Sequence, residues 1–164
     1  MRWTWIDRII ELEKGVRSAA IKNVSLAEEH LHDHFPGTPV MPGSLIIEGM
    51  AQTAGILVGH ARDFKEKVIL AKIGKATFNA DVRPGHTLIY RATLDRIDDS
   101  GASTTGTIEL IDNGSVDRTP RVIGQIEMMF SHIDQNMRGL GFPDHNFVFT
   151  SQFMDLLRNS GFGG

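Results

Sequence analysis

Residues 34–52 decide the fold and read His34-Phe35-Pro36-Gly37-Thr38-Pro39-Val40-Met41-Pro42-Gly43-Ser44-Leu45-Ile46-Ile47-Glu48-Gly49-Met50-Ala51-Gln52. The first ten of these residues include three prolines and two glycines, so we expect an ordered but irregular loop. From Gly43 an apolar run follows that continues through Val58. The run is too long for one strand and contains Met, Ala, Leu and Gln, which predicts a helix that ends near Phe64.

Strand signals flank this helix on both sides. Residues 6–13 and 16–24 are separated by Lys14-Gly15, which predicts a hairpin with Gly15 at positive φ. Beyond the helix, residues 68–78, 86–97, 102–111 and 121–133 are rich in β-branched residues and alternate with turn clusters such as Arg83-Pro84-Gly85. They predict an antiparallel meander. Because a helix with little polar surface must be enclosed, the prediction is an α+β domain with an antiparallel sheet wrapped around one long central helix.

The ends of the chain carry weaker signals. Residues 1–134 are predicted to form this domain, and residues 135–164 a C-terminal extension whose short helix, 152–158, packs on the same domain. Thr150 or Ser151 is the expected cap of that helix and Gly161 its stop. Residues 26–33 predict a helical turn or a loop. Trp3 and Trp5 have period-two spacing, which favours an aromatic cover for one face of the core over stacking on a ligand.

Composition narrows the class of protein. The chain has 164 residues, 41% hydrophobic and 23% charged, as in a globular domain. A formal net charge of -3 gives no basic character that would suggest nucleic acid. The absence of cysteine excludes disulfides and thiol nucleophiles, and agrees with a cytoplasmic location. Glu48 and Gln52 inside the long apolar run favour a buried core helix over a membrane span, and the N-terminus has no signal-peptide pattern.

His30, His32 and His34 alternate along the chain. On a strand the three rings would face one way, which is a possible metal site. The acidic neighbours and the following Phe35-Pro36-Gly37 favour a loop instead. We therefore prefer solvated histidines and no metal.

One acid and one base remain as candidates for chemistry. The prolines and glycines of the loop would fix His34 as a general base. The free N–H groups where the helix starts, at Gly43, would stabilise a developing oxyanion. A lone carboxyl group in an apolar helix carries a desolvation penalty, so Glu48 is a candidate general acid. This pattern alone is suggestive rather than diagnostic.

The same residues resemble the signature of the 3-hydroxyacyl-[acyl-carrier-protein] dehydratases, enzymes with the hotdog fold. The likeness lies in residues 34–39 and 41–43, in Glu48 and Ala51-Gln52, and in residues 78–85, Phe78-Asn79-Ala80-Asp81-Val82-Arg83-Pro84-Gly85. It covers roughly residues 6–133. The resemblance implies that His34 is the catalytic base and Glu48 the catalytic acid, contributed by different subunits of a homodimer.

The resemblance also implies a substrate-binding set. The amide of Gly43 would hold the thioester carbonyl, and Gln52 would orient the catalytic acid. The backbone carbonyl of Val40 would fix the catalytic histidine ring, and Phe35 belongs to the same set.

The implied activity is conversion of (3R)-3-hydroxyacyl-acyl carrier protein to the trans-2-enoyl thioester in type II fatty acid biosynthesis, without a cofactor. The implied assembly is a dimer or a trimer of dimers, and the implied partner is acyl carrier protein. The chain has a local set of basic residues that would form a docking face for that acidic partner or, equally, an ordinary solvated surface: Arg62, Lys65, Lys67, Lys72, Lys75 and Arg83.

Several alternatives stay open. One alternative is a non-catalytic hotdog module that binds acyl thioesters. Another is a dehydratase of a specialised lipid or polyketide pathway. A dehydratase that also isomerises the double bond typically has Asp at the position of Glu48, and thioesterases of this fold generally lack the residue 34–37 block.

Overall fold

The computed structural model describes residues 4–136 and 139–163. Its strands and helices are, in chain order, Arg8–Glu13 (β1), Arg17–Asn23 (β2), His30–Asp33 (α1), Gly43–Ala61 (α2), Val68–Phe78 (β3), His86–Ile97 (β4), Gly101–Asp112 (β5), Arg121–His132 (β6), Ile133–Asn136 (α3) and Ser151–Asn159 (α4).

Helix α2 packs against one six-stranded antiparallel sheet, whose strand order is β1-β2-β4-β5-β6-β3. The helix contacts all six strands, and side chains such as Ile56 and Leu57 are fully buried. Burying each such side chain contributes about 1.5–3 kcal/mol. The predicted α+β hotdog architecture, with a sheet around one central helix, is confirmed. In the part of the chain that the structure describes, none of the helices has the length and hydrophobicity needed to span a bilayer.

The pairing of β3 differs from the predicted meander. Strands β4, β5 and β6 do follow one another as a meander, but β3 pairs with β6 at the far edge of the sheet. The turn at Arg83–Gly85 therefore does not close a hairpin between β3 and β4. Both edges of β4 are already occupied, one by β2 and the other by β5, so β3 has no place beside β4.

The N-terminal hairpin is confirmed. Strands β1 and β2 pair antiparallel, and Gly15 in the turn has φ +70°. Trp5 is buried against the core, as predicted; Trp3 lies outside the described residues. Helix α2 ends at Ala61, three residues before the predicted end, because the chain turns sharply through left-handed φ values of 54° at Asp63 and Phe64.

The C-terminal helix α4 packs on β1. Phe153 and Leu157 are its buried residues, and the Ser160 hydroxyl after the helix accepts a hydrogen bond of 3.0 Å from the backbone N–H of Ile9. Gly161 has φ +89° and lies directly beyond the end of the helix, as predicted. The division of the chain at residue 134 stays a prediction.

A close contact between α2 and β4 gives a first testable prediction. A Cβ atom added at Gly49 would lie 2.3 Å from Cζ of Tyr90, whose side chain is fully buried. We expect Gly49→Ala to lower the free energy of unfolding by about 1–3 kcal/mol through overpacking. Tyr90→Leu in the same chain should relieve part of this loss.

Urea unfolding followed by circular dichroism measures this effect. Gly55→Ala is the matched control on the same helix, since its added Cβ would lie 3.7 Å from Phe130, an ordinary contact. A Gly49→Ala variant as stable as Gly55→Ala would contradict the prediction.

Candidate active site

The loop before α2 holds His34 through local hydrogen bonds. The ring Nδ1–H of His34 donates to the carbonyl oxygen of Val40 at 2.7 Å, and the N–H of Val40 donates back to the carbonyl of His34 at 2.8 Å. Between them, Phe35 and Thr38 exchange two backbone hydrogen bonds of 3.2 and 2.9 Å. The imidazole is thus fixed within a closed turn, and Val40 makes the contact expected of it.

This contact also determines the tautomer of His34. A backbone carbonyl only accepts hydrogen bonds, so Nδ1 carries the proton and Nε2 of the neutral ring has a free lone pair. The ring is half-buried. Phe35 stacks on it with ring centroids 4.2 Å apart, while 57% of Phe35 remains exposed. The contact with Val40 leaves Nε2 of His34 as the ring atom that can accept a proton.

Helix α2 begins at Gly43, directly after the loop that holds His34. Gly43 is the first helical residue, preceded by Pro42, and is exposed. The first N–H groups of a helix have no acceptor within the helix and carry the positive end of its dipole. The ring of Phe78, at the end of β3, lies beside Gly43, with 3.6 Å between Cε2 and a Cβ built on the glycine. Sequence reasoning gave Phe78 no role in the site, although Phe78 is part of the family resemblance.

Glu48 is held from one side by Gln52. The Gln52 side-chain N–H donates to Oε1 of Glu48 at 2.7 Å, and Oε1 of Gln52 accepts the backbone N–H of Trp5 at 2.7 Å. Glu48 is half-buried and Gln52 is only 5% exposed. The backbone of Trp5 thus positions the amide that positions the carboxyl group. Sequence reasoning missed this function of Trp5, because the two residues are 47 positions apart.

An apolar cavity of about 230 Å³ opens beside Glu48 and Gln52. Its other walls come from α2, β3 and β6, and from Val148, Phe149 and Phe153 of the C-terminal segment. His34 does not line this cavity. The chain therefore presents the candidate acid at the head of an apolar cavity and the candidate base at a separate position. A wider cleft of about 510 Å³ contains neither group.

The three alternating histidines do not converge. His30 and His32 lie in helix α1 rather than on a strand. The ring of His32 contacts the carbonyl of Leu26 at 2.9 Å, and His30 lies 5.3 Å from the Trp5 ring. His32 is exposed as predicted, but His30 and His34 are half-buried rather than solvated. Within residues 4–136 and 139–163, no three His, Cys, Asp or Glu side chains are arranged to hold a metal ion.

The prediction that Lys67 belongs to an exposed basic docking face is wrong. That side chain is 7% exposed, and its Nζ lies 2.6 Å from Oδ1 of Asp134. The hydrogen bond that the Lys67 side chain donates lowers the pKa of the Asp134 carboxyl group. Lys65, Lys72 and Lys75 are exposed, whereas Arg62 and Arg83 form ion pairs with Asp99 and Asp81.

Comparison with known proteins identifies the family. The FabA-like domain model matches residues 2–118. The 3-hydroxyacyl-[acyl-carrier-protein] dehydratase FabZ of Caldanaerobacter subterraneus subsp. tengcongensis is 48% identical over 93 residues, 56% of this chain and 66% of that protein. The FabZ protein of Fusobacterium nucleatum subsp. nucleatum is 44% identical over 103 residues, 62% of this chain and 72% of that protein. The match to the first relative thus spans just under two thirds of its length.

A solved structure shares the fold. The dehydratase heterocomplex ApeI:P from Xenorhabdus doucetiae superposes with a TM-score of 0.56 at 17% identity, and the match covers 74% of this chain and 92% of that one. At this identity the likeness shows the fold alone. Because the family model matches well over half of the sequence, the chain belongs to the FabA-like domain family.

Proposed function

We propose that this chain is a 3-hydroxyacyl-acyl carrier protein dehydratase, a hydro-lyase of type II fatty acid biosynthesis. The observation that carries the proposal is the pair of oriented groups. His34 has its Nε2 lone pair free, and Glu48 is fixed by Gln52 at the head of an apolar cavity. The names of the curated relatives support the same activity.

The reaction follows from these groups. Nε2 of His34 takes the proton from C2 of the (3R)-3-hydroxyacyl thioester, which the adjacent carbonyl acidifies. Negative charge on the carbonyl oxygen is stabilised by the N–H of Gly43 and the positive end of α2. Glu48 protonates the departing hydroxyl at C3, the C3–O bond breaks, and the electron pair of the C2–H bond forms the trans double bond. Water leaves, and no external electron donor or cofactor is needed.

A second copy of the chain completes the proposed site. The candidate acid lines a cavity that His34 does not line. Strand β3 is an 11-residue edge strand, and Leu70, Ile73 and Phe78 on it are 37–41% exposed. Long apolar edge strands are normally covered in proteins. Pairing of β3 with its symmetry copy would cover these side chains and bring His34 of one subunit toward Glu48 of the other. The assembly is then a dimer, alone or as a trimer of dimers.

The proposed partner is acyl carrier protein, which delivers the substrate as a phosphopantetheine thioester. The exposed Lys65, Lys72 and Lys75 supply positive charge for an acidic partner. The cytoplasmic location inferred from the absence of cysteine stays a prediction.

Absorbance of the conjugated enoyl thioester tests the proposal. We expect purified protein to interconvert crotonyl and 3-hydroxybutyryl thioesters, with faster turnover when acyl carrier protein bears the substrate. Product analysis distinguishes a trans-2-enoyl product from an isomerised one. Stoichiometric retention of the thioester without interconversion, also with carrier-bound substrate, would overturn the dehydratase and favour the non-catalytic hotdog module.

A further inference from the structure

We propose that the C-terminal segment, residues 146–153, closes the far end of the acyl-chain cavity and sets the preferred chain length. The inference rests on the proposed function, since the occupant is the acyl chain of the thioester. Val148, Phe149 and Phe153 form one wall of the apolar cavity that begins at Glu48. The cavity thus joins the reacting end of the substrate to a wall built by this segment.

The cavity follows one face of α2. Glu48, Gln52 and Gly55 line it, and with Gly59 they are spaced four, three and four residues apart, so all four lie on one side of the helix. With a rise of about 1.5 Å per residue, Gly55 lies roughly 10 Å along the axis from Glu48. An acyl chain whose C3 hydroxyl meets Glu48 would therefore extend along this face toward Gly59.

Phe149 ends that path. A Cβ added at Gly59 would lie 2.4 Å from Cζ of Phe149, so the glycine is what allows the ring to press against the helix. Phe149 also packs edge-on against Phe64 at 5.0 Å and lies 5.9 Å from the ring of Phe153. Phe149 and Phe153 are 8% and 3% exposed. The cluster of Phe64, Phe149 and Phe153 is therefore a closely packed wall at the end of the cavity.

Hydrogen bonds fix the segment in this position. The side-chain amide of Asn146 donates to the carbonyl oxygens of Phe64 and Glu66 at 3.2 Å. Its Oδ1 accepts the backbone N–H groups of Val148 and Phe149 at 3.0 and 3.1 Å. Asn146 thereby ties the cavity wall to the chain that leaves α2.

The wall lies outside the part of the chain that the family model matches. The cavity that it bounds has a volume of about 230 Å³, so an acyl chain longer than the cavity would meet the wall. The family model matches only residues 2–118, so the wall comes from outside the matched region. The chain-length preference is then a property that this segment adds to the shared domain.

A chain-length series tests the inference. We would measure kcat/KM for hydration of crotonyl, octenoyl, dodecenoyl and hexadecenoyl thioesters. Because one added methylene is worth about 10-fold or more in an apolar pocket, Phe153→Ala should raise the dodecenoyl-to-crotonyl ratio by about 10-fold. Val148→Phe fills the cavity and should lower the octenoyl-to-crotonyl ratio by a similar factor.

Leu157→Ala is the matched control. It truncates another buried side chain of α4 that does not line the cavity, so the ratios should stay at their wild-type values. Thermal unfolding checks that each variant is folded, and Val148→Phe, at a half-buried site, keeps the test available if Phe153→Ala does not fold. Hydration with unchanged ratios in the cavity variants would overturn this inference alone. Failure of the wild type to hydrate any of the thioesters would overturn the proposed function as well.

Discussion

Glu48→Gln is expected to lower kcat for dehydration by roughly 100- to 10,000-fold, the range for loss of a general acid. The glutamine oxygen still accepts the hydrogen bond that Gln52 donates to Glu48, so the side chain keeps its place. What the variant loses is the proton for the departing hydroxyl. His34→Asn should cause a loss of similar size, because the amide N–H can still donate to the carbonyl of Val40, but the side chain has no basic nitrogen to take the C2 proton.

Steady-state enoyl absorbance measures both effects, and the melting temperature by circular dichroism should stay close to that of wild type. His32→Asn is the matched control, since His32 is an exposed histidine two positions before His34 with its own carbonyl partner. It should retain full turnover. Near-normal activity in both His34→Asn and Glu48→Gln would rule out the assigned acid and base.

The parts of the site that the sequence predicts are the local ones. His34 and Val40 are six residues apart in a loop restricted by prolines, so their contact follows from the turn itself. Glu48 and Gln52 are one helical turn apart, and that spacing places them together on any helix. Short separation and a defined backbone leave little freedom for another arrangement.

The parts that the sequence does not predict depend on distant contacts. The pattern of β3 identifies it as a strand, but only occupation of both edges of β4 places it beside β6. Trp5 meets Gln52 across 47 residues, and Phe149 meets Gly59 across 90. The sequence indicates that Lys67 is an exposed cation, whereas in the fold its side chain pairs with Asp134, 67 positions away. Periodicity describes each segment, whereas these contacts are set by how the segments pack.

The second large effect concerns the assembly. Subunits carrying His34→Asn and subunits carrying Glu48→Gln should each be nearly inactive, yet a one-to-one mixture should regain about a quarter of wild-type activity after subunit exchange. Random exchange makes half of the dimers mixed. In a shared site, each mixed dimer has one site with both substitutions and one site with neither, and the latter works normally.

Co-expression with two affinity tags, or mixing under mild denaturant followed by refolding, gives the required exchange, and mass spectrometry counts the mixed dimers.

The inverse experiment is the sharper control. Wild type mixed with the double variant His34→Asn/Glu48→Gln should fall to about a quarter of full activity if each site takes one residue from each subunit, because every mixed dimer is then inactive. If both residues act within one subunit, that mixture keeps half of the activity and the first mixture recovers none. Compared with a site within one subunit, a shared site therefore raises the activity of the first mixture and lowers the activity of the second. A site shared between subunits is supported only if both mixtures reach about a quarter of wild-type activity.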